Sequence, residues 1–376
     1  MDNEKVLKPY RALYLHIPFC KSRCSYCDFA THAARSGSDQ IDRYIEGLIL
    51  EIRRASREEL LGEIETVYIG GGTPTHAGMR NLSSLLYALG TSMHLEPHVE
   101  CTVEANPESL SSEMIRDLWA LGVNRLSIGV QSFDDGTLRT LGRAHDGARA
   151  REAVEIARER FDNISIDLMC GISDQTLESF LDDLKTAVNL GINHISIYPL
   201  AIEEGTPFES MVDSGLLPEP DGDVQAEMMQ VAQDYLTAQG FKRYEIASYA
   251  RPGYESRHNT AYWTGVPYLG LGQSAVTMSQ TLDNSVRRRL LDGNEQERLN
   301  ARQIVAEDLM LKMRMVRGVS LLELDQSAKV LPAVWDCFND LVDCGLAEKT
   351  EEAYIPTNLG WLCGNELFGA ILELAP

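Results

Sequence analysis

Three cysteines near the start of the chain form the group best suited to chemistry. Cys20, Cys24 and Cys27 lie within eight residues in the pattern Cys-x3-Cys-x2-Cys, and Tyr26 precedes the last of them. Three thiolates can bind three irons of a 4Fe-4S cluster and leave the fourth iron open to a chelating small molecule. A structural zinc site needs four ligands; His32 keeps that alternative open, but no cysteine or histidine follows at zinc-finger spacing. The spacing therefore favours the cluster.

The elements that must position these cysteines show a regular alternation of strands and helices. Six short apolar runs have the length and flanking residues of buried parallel strands, and helical patterns lie between them. This repetition predicts an α/β fold, a partial (β/α)6 TIM-like barrel with its functional residues at the carboxyl ends of the strands. The predicted strands are residues 12–17, 66–69, 100–103, 125–130, 165–169 and 194–198.

Two further segments are predicted after a barrel core over residues 1–205. Residues 206–299 extend the barrel and contain the run His258-Asn-Thr-Ala-Tyr-Trp263, and 207–223 within them is predicted to be a loop. Residues 300–376 combine helices with a short polar hairpin, which predicts a small winged-helix-like C-terminal domain. Winged helices often bind DNA, but this segment is rich in Asp and Glu, so DNA binding is the weaker interpretation.

Charge and composition argue against several classes of partner. With 34 basic and 56 acidic residues the formal net charge is −22, which repels nucleic-acid backbones. No apolar run reaches the roughly 18 residues of a membrane span, and the first residues lack the apolar region of a signal peptide. We expect a cytoplasmic protein, with peripheral membrane contact left open. The remaining cysteines are interpreted as packing residues: Cys101, Cys170, Cys337, Cys344 and Cys363.

Several motifs together carry a family resemblance. The chain resembles the radical SAM superfamily and, over nearly its whole length, the branch of oxygen-independent coproporphyrinogen III oxidases; within that branch it is most similar to the heme chaperones. The resemblance implies a radical SAM barrel that holds a 4Fe-4S cluster on the three cysteines beside S-adenosylmethionine. The motifs are Tyr14-Leu-His-Ile-Pro-Phe-Cys20, Gly70-Gly-Gly-Thr-Pro74, Val103-Glu-Ala-Asn-Pro107, Gly129-Val-Gln-Ser132 and His258-Asn-Thr-Ala-Tyr-Trp263.

The resemblance also implies a set of S-adenosylmethionine-binding residues. The glycine run would approach the methionine part of the ligand; it is not followed by Gly-Lys-Ser/Thr and is not a dinucleotide fingerprint, so ATP and NAD are not indicated. Arg143 suits the methionyl carboxylate, and acidic and amide groups suit the amino group and ribose hydroxyls. Tyr14, Tyr26 and Ala201 match positions around the adenine and sulfonium, although each could equally be a core residue. The full set is Tyr14, Tyr26, Gly71, Gly72, Thr73, Glu104, Gln131, Arg143, Asp167 and Ala201.

Two departures separate the chain from the oxidases that it resembles. Those enzymes carry another cysteine two residues after the third, where this chain has Phe29, and they carry a longer N-terminal extension, whereas 19 residues precede Cys20 here. In the heme chaperones the His258 motif is associated with heme, and Tyr262 and Trp263 would offer a flat apolar wall to a porphyrin. A histidine among aromatic residues can equally be a packed core residue.

These observations together predict a heme chaperone that binds heme, holds a 4Fe-4S cluster with S-adenosylmethionine, and transfers heme to an acceptor hemoprotein. Whether the chain is also an enzyme stays open, because the cluster could cleave S-adenosylmethionine to a 5′-deoxyadenosyl radical or serve reduction or conformational control. The enzyme alternative is oxidative decarboxylation of coproporphyrinogen III, and a second is radical methylation of RNA or a peptide. Phe29 argues against the first, and the negative charge argues against RNA.

Overall fold

The computed structural model describes residues 6–57 and 61–376. Residues 1–5 and 58–60 lie outside the described residues. The first of these segments belongs to the N-terminal stretch in which no signal peptide is predicted. Within the described ranges, no helix combines the length and the apolar character needed to cross a membrane.

Six parallel strands form the centre of the molecule, and each contains one of the six predicted runs. They pair in the order in which they follow along the chain, which confirms the α/β prediction with a mainly parallel sheet. The strands are β1 (Tyr10–Ile17), β2 (Leu61–Gly71), β3 (Leu95–Ala105), β4 (Arg125–Gln131), β5 (Ile164–Cys170) and β6 (His194–Pro199).

Eight helices connect or follow these strands, and most pack against one face of the sheet. The apolar strand residues on that face, such as Leu15 and Ile128, share one hydrophobic core with Ile45, Leu85 and Leu184 of the helices. The helices are α1 (Asp39–Ala55), α2 (Met79–Ser92), α3 (Ser112–Ala120), α4 (Asp135–Thr140), α5 (Gly147–Arg158), α6 (Leu177–Asn189), α7 (Pro207–Asp213) and α8 (Gly222–Ala238), with short 3-10 turns at Pro74–Ala77 and Pro107–Ser109.

The opposite face of the central strands is polar. Side chains alternate between the two faces of a strand, so the residues between the apolar ones point away from the helices. Tyr68, Arg125, Ser127, Asp167 and Ser196 all line a single cavity on this second face. The second face of the strands thus carries polar and charged side chains, and these side chains line the cavity together with apolar ones.

The loop predicted over residues 207–223 is wrong in its first half, because α7 forms there. Thr206 caps this helix by accepting a hydrogen bond from the Glu209 backbone N–H, and Pro207 suits the first helical position. Phe208 is buried in a small apolar cluster with Leu200 and other residues. The Pro and acidic residues of this segment favour a loop, but Thr206-Pro207 followed by Glu209 is also typical of the start of a helix.

The sheet extends beyond the six strands at both edges and remains open. On one side β6 pairs with an antiparallel strand, and on the other β1 pairs in parallel with Tyr268–Leu271. The added strands are β7 (Lys242–Arg243), β8 (Ser248–Ala250), β9 (Tyr268–Leu271), β10 (Val276–Gln280), β11 (Val286–Leu291) and β12 (Asn294–Asn300). The strand order is β12-β11-β10-β9-β1-β2-β3-β4-β5-β6-β8-β7.

A short helix, α9 (Arg257–Trp263), lies near the amino ends of the central strands. The Glu100 carboxylate of β3 accepts hydrogen bonds at 3.0 Å from the backbone N–H groups of Arg257 and His258. Ser256 caps the helix by accepting from Asn259 N. The side chain of Asn259 lines the polar cavity. The helix thus covers the amino end of the polar face.

The last part of the chain has a hydrophobic core of its own, which includes Phe338, Leu341 and Tyr354. A small antiparallel sheet and five helices surround this core, and the predicted polar hairpin is present. The division of the whole chain into three segments stays a prediction. The elements are α10 (Ala301–Lys312), β13 (Val319–Ser320), α11 (Leu321–Ser327), α12 (Val334–Asp343), β14 (Ala347–Lys349), β15 (Ala353–Pro356), α13 (Asn358–Leu362) and α14 (Gly364–Leu372).

A buried arginine connects the extended sheet to this last part. Arg287 of β11 is 1% exposed, and its guanidinium donates to Glu307 at 2.5 Å, to Asp308 at 2.7 Å and to Gln280 at 2.7 and 2.9 Å. Glu307 and Asp308 belong to α10. Because its donors face acceptors at hydrogen-bond distance, this buried charge is well compensated.

We expect Arg287→Met to lower the free energy of unfolding by about 3–5 kcal/mol, because it removes the buried cation that pairs with both Glu307 and Asp308, and only the partly exposed Arg289 then remains beside Glu307. Urea unfolding followed by circular dichroism measures the change. Arg288→Met is the matched control: Arg288 is 41% exposed, makes one ion pair at 3.4 Å with Glu295, and should change stability by at most about 1 kcal/mol. Equal losses in the two variants would contradict this account.

Candidate functional site

The cysteine loop begins at the carboxyl end of β1 and is held by backbone hydrogen bonds. The His32 N–H donates to Pro18 O at 2.6 Å, and the Ala34 N–H donates to Cys20 O at 3.0 Å, so both ends of the loop are tied together. The middle of the loop is tied to α7, because the Phe208 N–H donates to Ser25 O at 3.0 Å. These bonds fix the loop across the carboxyl ends of the strands.

A chain of side-chain hydrogen bonds links two of the cysteines. Thr73 Oγ1 donates to Cys20 Sγ at 3.5 Å, and Asn106 Nδ2 donates to Thr73 Oγ1 at 2.7 Å. On the other side of Asn106, Arg143 Nη2 donates to its Oδ1 at 2.7 Å, while Arg143 Nη1 donates to Cys24 Sγ at 3.3 Å. The positions of Cys20 and Cys24 therefore depend on residues from three different loops.

All three predicted cluster ligands line one cavity, together with Gly71 and Gly72. A Cβ atom on Gly72 would lie 2.9 Å from Cys20 Sγ and 2.8 Å from Phe19 O, so a glycine permits this close approach. Among the described residues, no group of three His, Cys, Asp or Glu side chains is placed to hold a single metal ion. A 4Fe-4S cluster asks for a different spacing, because each thiolate binds a different corner of a cube.

A second cavity, of about 320 Å³, adjoins the first. The two share Tyr26, Glu104, Gln131 and Asp167, and Ala201 lies on the wall of the second. The structure thus brings most of the predicted S-adenosylmethionine-binding residues together around one continuous space that starts at the cysteines. The lining residues from that set are Tyr26, Gly71, Gly72, Glu104, Gln131, Arg143, Asp167 and Ala201.

Two buried carboxylates face this space. Glu104 Oε1 accepts from Tyr68 Oη at 2.7 Å and Oε2 accepts from the Gly71 N–H at 3.0 Å. Burial raises the pKa of Glu104 to about 7 and that of Asp167 to about 6, and the positive charge of Arg125 opposes both shifts. A cationic group in the cavity would favour the ionised carboxylates. This pair therefore suits a ligand with an ammonium group and hydroxyls.

Gln131 is held in an unusual backbone conformation where β4 ends. Its φ of 66° lies in the left-handed region, which costs a residue other than glycine about 1 kcal/mol or more. Its side chain lines both cavities. Strain of this kind is found where a side chain must point into a site, which supports a binding role for Gln131.

Two predicted residues, Tyr14 and Thr73, line neither cavity. The Tyr14 hydroxyl and His16 Nδ1 are hydrogen-bonded at 2.9 Å, and the Tyr14 ring lies 6.2 Å from the Tyr68 ring. Thr73 is 2% exposed and supports Cys20 through its hydroxyl. Both side chains therefore contact residues that line a cavity: Tyr14 lies beside Tyr68, and Thr73 donates to Cys20.

The His258 motif lies apart from the cysteines. His258 is 1% exposed, and both of its ring nitrogens have partners: Nδ1 with Thr66 Oγ1 at 2.9 Å and Nε2 with Tyr262 Oη at 3.0 Å. Burial lowers the pKa of His258 to about 3, so the ring is neutral. The Trp263 ring packs against the Arg314 guanidinium at 4.4 Å. A role of this motif in heme binding stays a prediction, and it requires the buried imidazole to become accessible.

Several residues of the cavity were not found from the sequence. Asn106 lies inside the Val103–Pro107 motif, which by itself indicates no role for this side chain, and the inward-facing strand residues lie within apolar runs. Their signal is the period of two: in β4 the sequence Arg-Leu-Ser-Ile-Gly-Val-Gln alternates polar or small residues with apolar ones. The missed lining residues are Tyr68, Arg125, Ser127, Ser196, Tyr198 and Asn259.

Comparison with known proteins agrees with this geometry. Residues 14–187 match the family model of the radical SAM superfamily. The heme chaperone HemW of Bacillus subtilis is 33% identical over 96% of this chain and 99% of its own. The heme chaperone HemW of Mycobacterium tuberculosis is 35% identical over 93% of this chain and 94% of its own.

The fold also matches a solved structure. Coproporphyrinogen III oxidase (HemN) from Escherichia coli, a radical SAM enzyme, is similar with a TM-score of 0.80 at 23% identity, over 97% of this chain and 90% of that chain. At this identity the likeness bears on the fold alone. Together with the full-length relatives, it confirms the resemblance: the chain belongs to the HemW family of heme chaperones, within the radical SAM superfamily.

Proposed function

We propose that this chain is a cytoplasmic heme chaperone that holds a 4Fe-4S cluster with S-adenosylmethionine, binds heme and passes it to an acceptor hemoprotein. The observation that carries the proposal is the continuous space that begins at Cys20, Cys24 and Cys27 and ends at Ala201. Three thiols at one end and two buried carboxylates beyond them suit a cluster and a zwitterionic nucleoside side by side.

The cluster would be held by the three cysteine thiolates. When bound, it supplies one-electron chemistry and an open iron for the amino acid part of S-adenosylmethionine. The protein's part is to fix the thiols. Thr73 and Arg143 each donate to one of them, and a donor that faces a thiolate stabilises its negative charge. These contacts support the assignment of Cys20 and Cys24 as ligands.

The nucleoside would lie along the wall formed by the ends of β3, β4 and β5. Glu104 and Asp167 offer acceptors for its ammonium and hydroxyl groups, and Gln131 offers an amide. Arg143 has most of its donors occupied, but Nε is buried without a hydrogen-bond partner in the described part of the chain. That free donor supports the proposed contact with the methionyl carboxylate.

Heme binding is proposed from the family and from the His258 motif. Two features favour a chaperone over a coproporphyrinogen III oxidase: Phe29 stands where those oxidases have a further cysteine, and it is 65% exposed beside the cavity. His258 is buried with both ring nitrogens hydrogen-bonded, so it can bind iron only after one of these bonds is released and the ring becomes accessible. We propose that heme binding by this motif is coupled to a displacement of α9. The charge of −22 supports a partner other than nucleic acid.

Removal of one cluster cysteine should abolish the cluster. We expect anaerobically reconstituted protein to contain about four irons per chain and Cys24→Ser to lose them, because the remaining thiolates hold the cube too weakly. Iron and sulfide analysis with visible absorbance measures this. Cys344→Ser is the control, since Cys344 is exposed and far along the chain. Tight stoichiometric zinc without sulfide in protein purified without oxygen would contradict the assignment.

Removal of the Glu104 charge should weaken nucleoside binding and spare the cluster. We expect Glu104→Gln to raise the Kd for S-adenosylmethionine by a factor that corresponds to about 1.5–3 kcal/mol, the value of a charge-assisted hydrogen bond. Anaerobic calorimetry on reconstituted protein measures it. Glu108→Gln is the matched control, because the Glu108 carboxylate bonds to His145 and lines neither cavity. Unchanged affinity in Glu104→Gln would show that the pocket is misplaced.

Heme should bind, and coproporphyrinogen III should not be converted. We expect a Soret band on heme titration of the reconstituted protein and no protoporphyrinogen after incubation with coproporphyrinogen III, S-adenosylmethionine and reductant under argon. His258→Ala should shift or weaken the Soret band, because the motif loses its iron donor.

The control for this variant is His194→Ala. His194 is equally buried and is hydrogen-bonded to Ser165 and Tyr244 near the same end of the sheet, but it lies outside the motif. Equal effects of the two variants on the Soret band would argue against His258 as the ligand. Turnover of coproporphyrinogen III at an enzyme's pace would favour the oxidase.

A further inference from the structure

Asn106 lies between an arginine and a threonine beside the cysteine loop. Arg143 Nη2 donates to Asn106 Oδ1 at 2.7 Å, and Asn106 Nδ2 donates to Thr73 Oγ1 at 2.7 Å. The Thr73 hydroxyl in turn lies 3.5 Å from Cys20 Sγ. These residues come from loops that are distant in the sequence. Asn106 and Thr73 thus form one line of hydrogen bonds that ends at a proposed cluster ligand.

The first member of this line determines the direction of every hydrogen bond in it. A guanidinium has N–H donors and no acceptor, so the Asn106 atom that faces Arg143 must be the carbonyl oxygen. The amide nitrogen, which only donates, therefore faces Thr73, and the Thr73 oxygen accepts from it. The one hydroxyl proton of Thr73 is then left to donate to Cys20 Sγ. We call Arg143, Asn106, Thr73 and Cys20 the donor chain.

The surrounding backbone holds the middle of the donor chain in place. The Asn106 N–H donates to Ser109 Oγ at 3.3 Å, and the Ser109 N–H donates back to Asn106 O at 3.0 Å. Thr73 is 2% exposed, and its N–H donates to Phe19 O at 2.8 Å. A Cβ atom on Gly129 would lie 2.8 Å from Asn106 Oδ1, so glycine leaves room for the amide. The side chains of the donor chain are therefore positioned by backbone contacts on both sides.

We propose that Asn106 and Thr73 are positioning residues that raise the reduction potential of the 4Fe-4S cluster. This proposal rests on the proposed function, because it requires the cluster. Reduction by one electron adds one negative charge to a cluster and its thiolates, and a hydrogen bond to a thiolate sulfur stabilises that charge. The donor chain supplies such a bond to Cys20, and Arg143 Nη1 supplies another to Cys24 at 3.3 Å. One guanidinium therefore acts on two thiolates, directly on one and through two side chains on the other.

Thr73→Val removes the donor to Cys20 and nearly keeps the shape of the side chain. We expect the reconstituted variant to keep its iron and to have a lower midpoint potential. At a fixed solution potential the ratio of reduced to oxidised cluster should fall by a factor of about 3–10, which is about 30–60 mV for one electron. Thr73→Ser, which keeps the hydroxyl, should restore the wild-type potential. Anaerobic titration with dithionite and mediators, followed by electron paramagnetic resonance without S-adenosylmethionine, measures the potential.

Thr75→Val is the matched control for this variant. Thr75 belongs to the same segment and is also 2% exposed, but its hydroxyl is hydrogen-bonded to Ser109 Oγ at 2.6 Å. Its loss should leave the midpoint potential unchanged. An unchanged potential in Thr73→Val, or an equal shift in Thr73→Val and Thr75→Val, would overturn the proposal.

Asn106→Asp tests the middle of the donor chain. A carboxylate can accept from Arg143 but cannot donate to Thr73, so the Thr73 hydroxyl would turn towards the carboxylate and away from Cys20. The added negative charge also lowers the potential, and only this effect remains when Thr73 is already Val. We expect Asn106→Asp to lower the potential more in the wild type than in Thr73→Val. Equal shifts in the two backgrounds would overturn the role of Asn106.

The same titrations separate this proposal from the proposed function. A wild type that binds no iron and sulfide on reconstitution would overturn both. A wild type with a cluster whose potential is the same in every Thr73 and Asn106 variant would keep the proposed cluster and overturn the donor chain. If Thr73→Val loses its iron, Asn106→Leu decides, because it leaves Thr73 in place and removes the donor that orients the hydroxyl. Its potential should fall, and an unchanged potential would overturn the proposal.

Discussion

The structure depends on a strict alternation along six parallel strands. Each strand must supply apolar residues to the helices on one face and polar residues to the enclosed space on the other, and a shift of one residue in register would exchange the two sets. A buried polar face is costly unless its groups are hydrogen-bonded. Tyr68 with Glu104, and Ser165 with His194, meet this requirement. The site is thus built from groups that also satisfy one another.

At the amino ends of the strands, the helix α9 provides hydrogen-bond partners for buried polar groups. Glu100 would be an isolated buried carboxylate, but it accepts two backbone N–H groups at the start of α9. The Thr66 hydroxyl likewise provides a hydrogen-bond partner for the buried His258 ring. The motif that suggested heme binding therefore has a structural duty in this conformation, because removal of His258 would leave Thr66 and Tyr262 without a partner. A heme role and the attachment of α9 to the sheet compete for the same imidazole.

The sequence was sufficient to predict the features that are local in the chain. The three cysteines are close in sequence and their spacing is specific, and each central strand is a recognisable apolar run. The contacts of Arg125 and Asn106 could not be predicted, because they depend on which strands and loops are neighbours and in which register. The helix α7 differs from the prediction for another reason: the Pro and acidic composition of this segment favours a loop, whereas its local start signal at Thr206 and Pro207 favours a helix. The sequence is therefore insufficient where the pairing of distant segments determines a contact or where a capping residue determines the start of a helix.

Arg143 illustrates how such pairing changes a functional assignment. The chemistry of a guanidinium predicts a contact with the methionyl carboxylate. In the structure, Nη2 donates to Asn106 and to Gly129 O, and Nη1 donates to Cys24 Sγ. One residue thus connects the cysteine loop with the ends of β3 and β4. A loss of Arg143 would disturb Cys24 as well as the cavity wall, whereas the hydrogen bonds of Glu104 within the described residues run to Tyr68 and to the Gly71 N–H. Through Arg143 and Asn106, one chain of hydrogen bonds joins the cavity wall to Cys20 and Cys24.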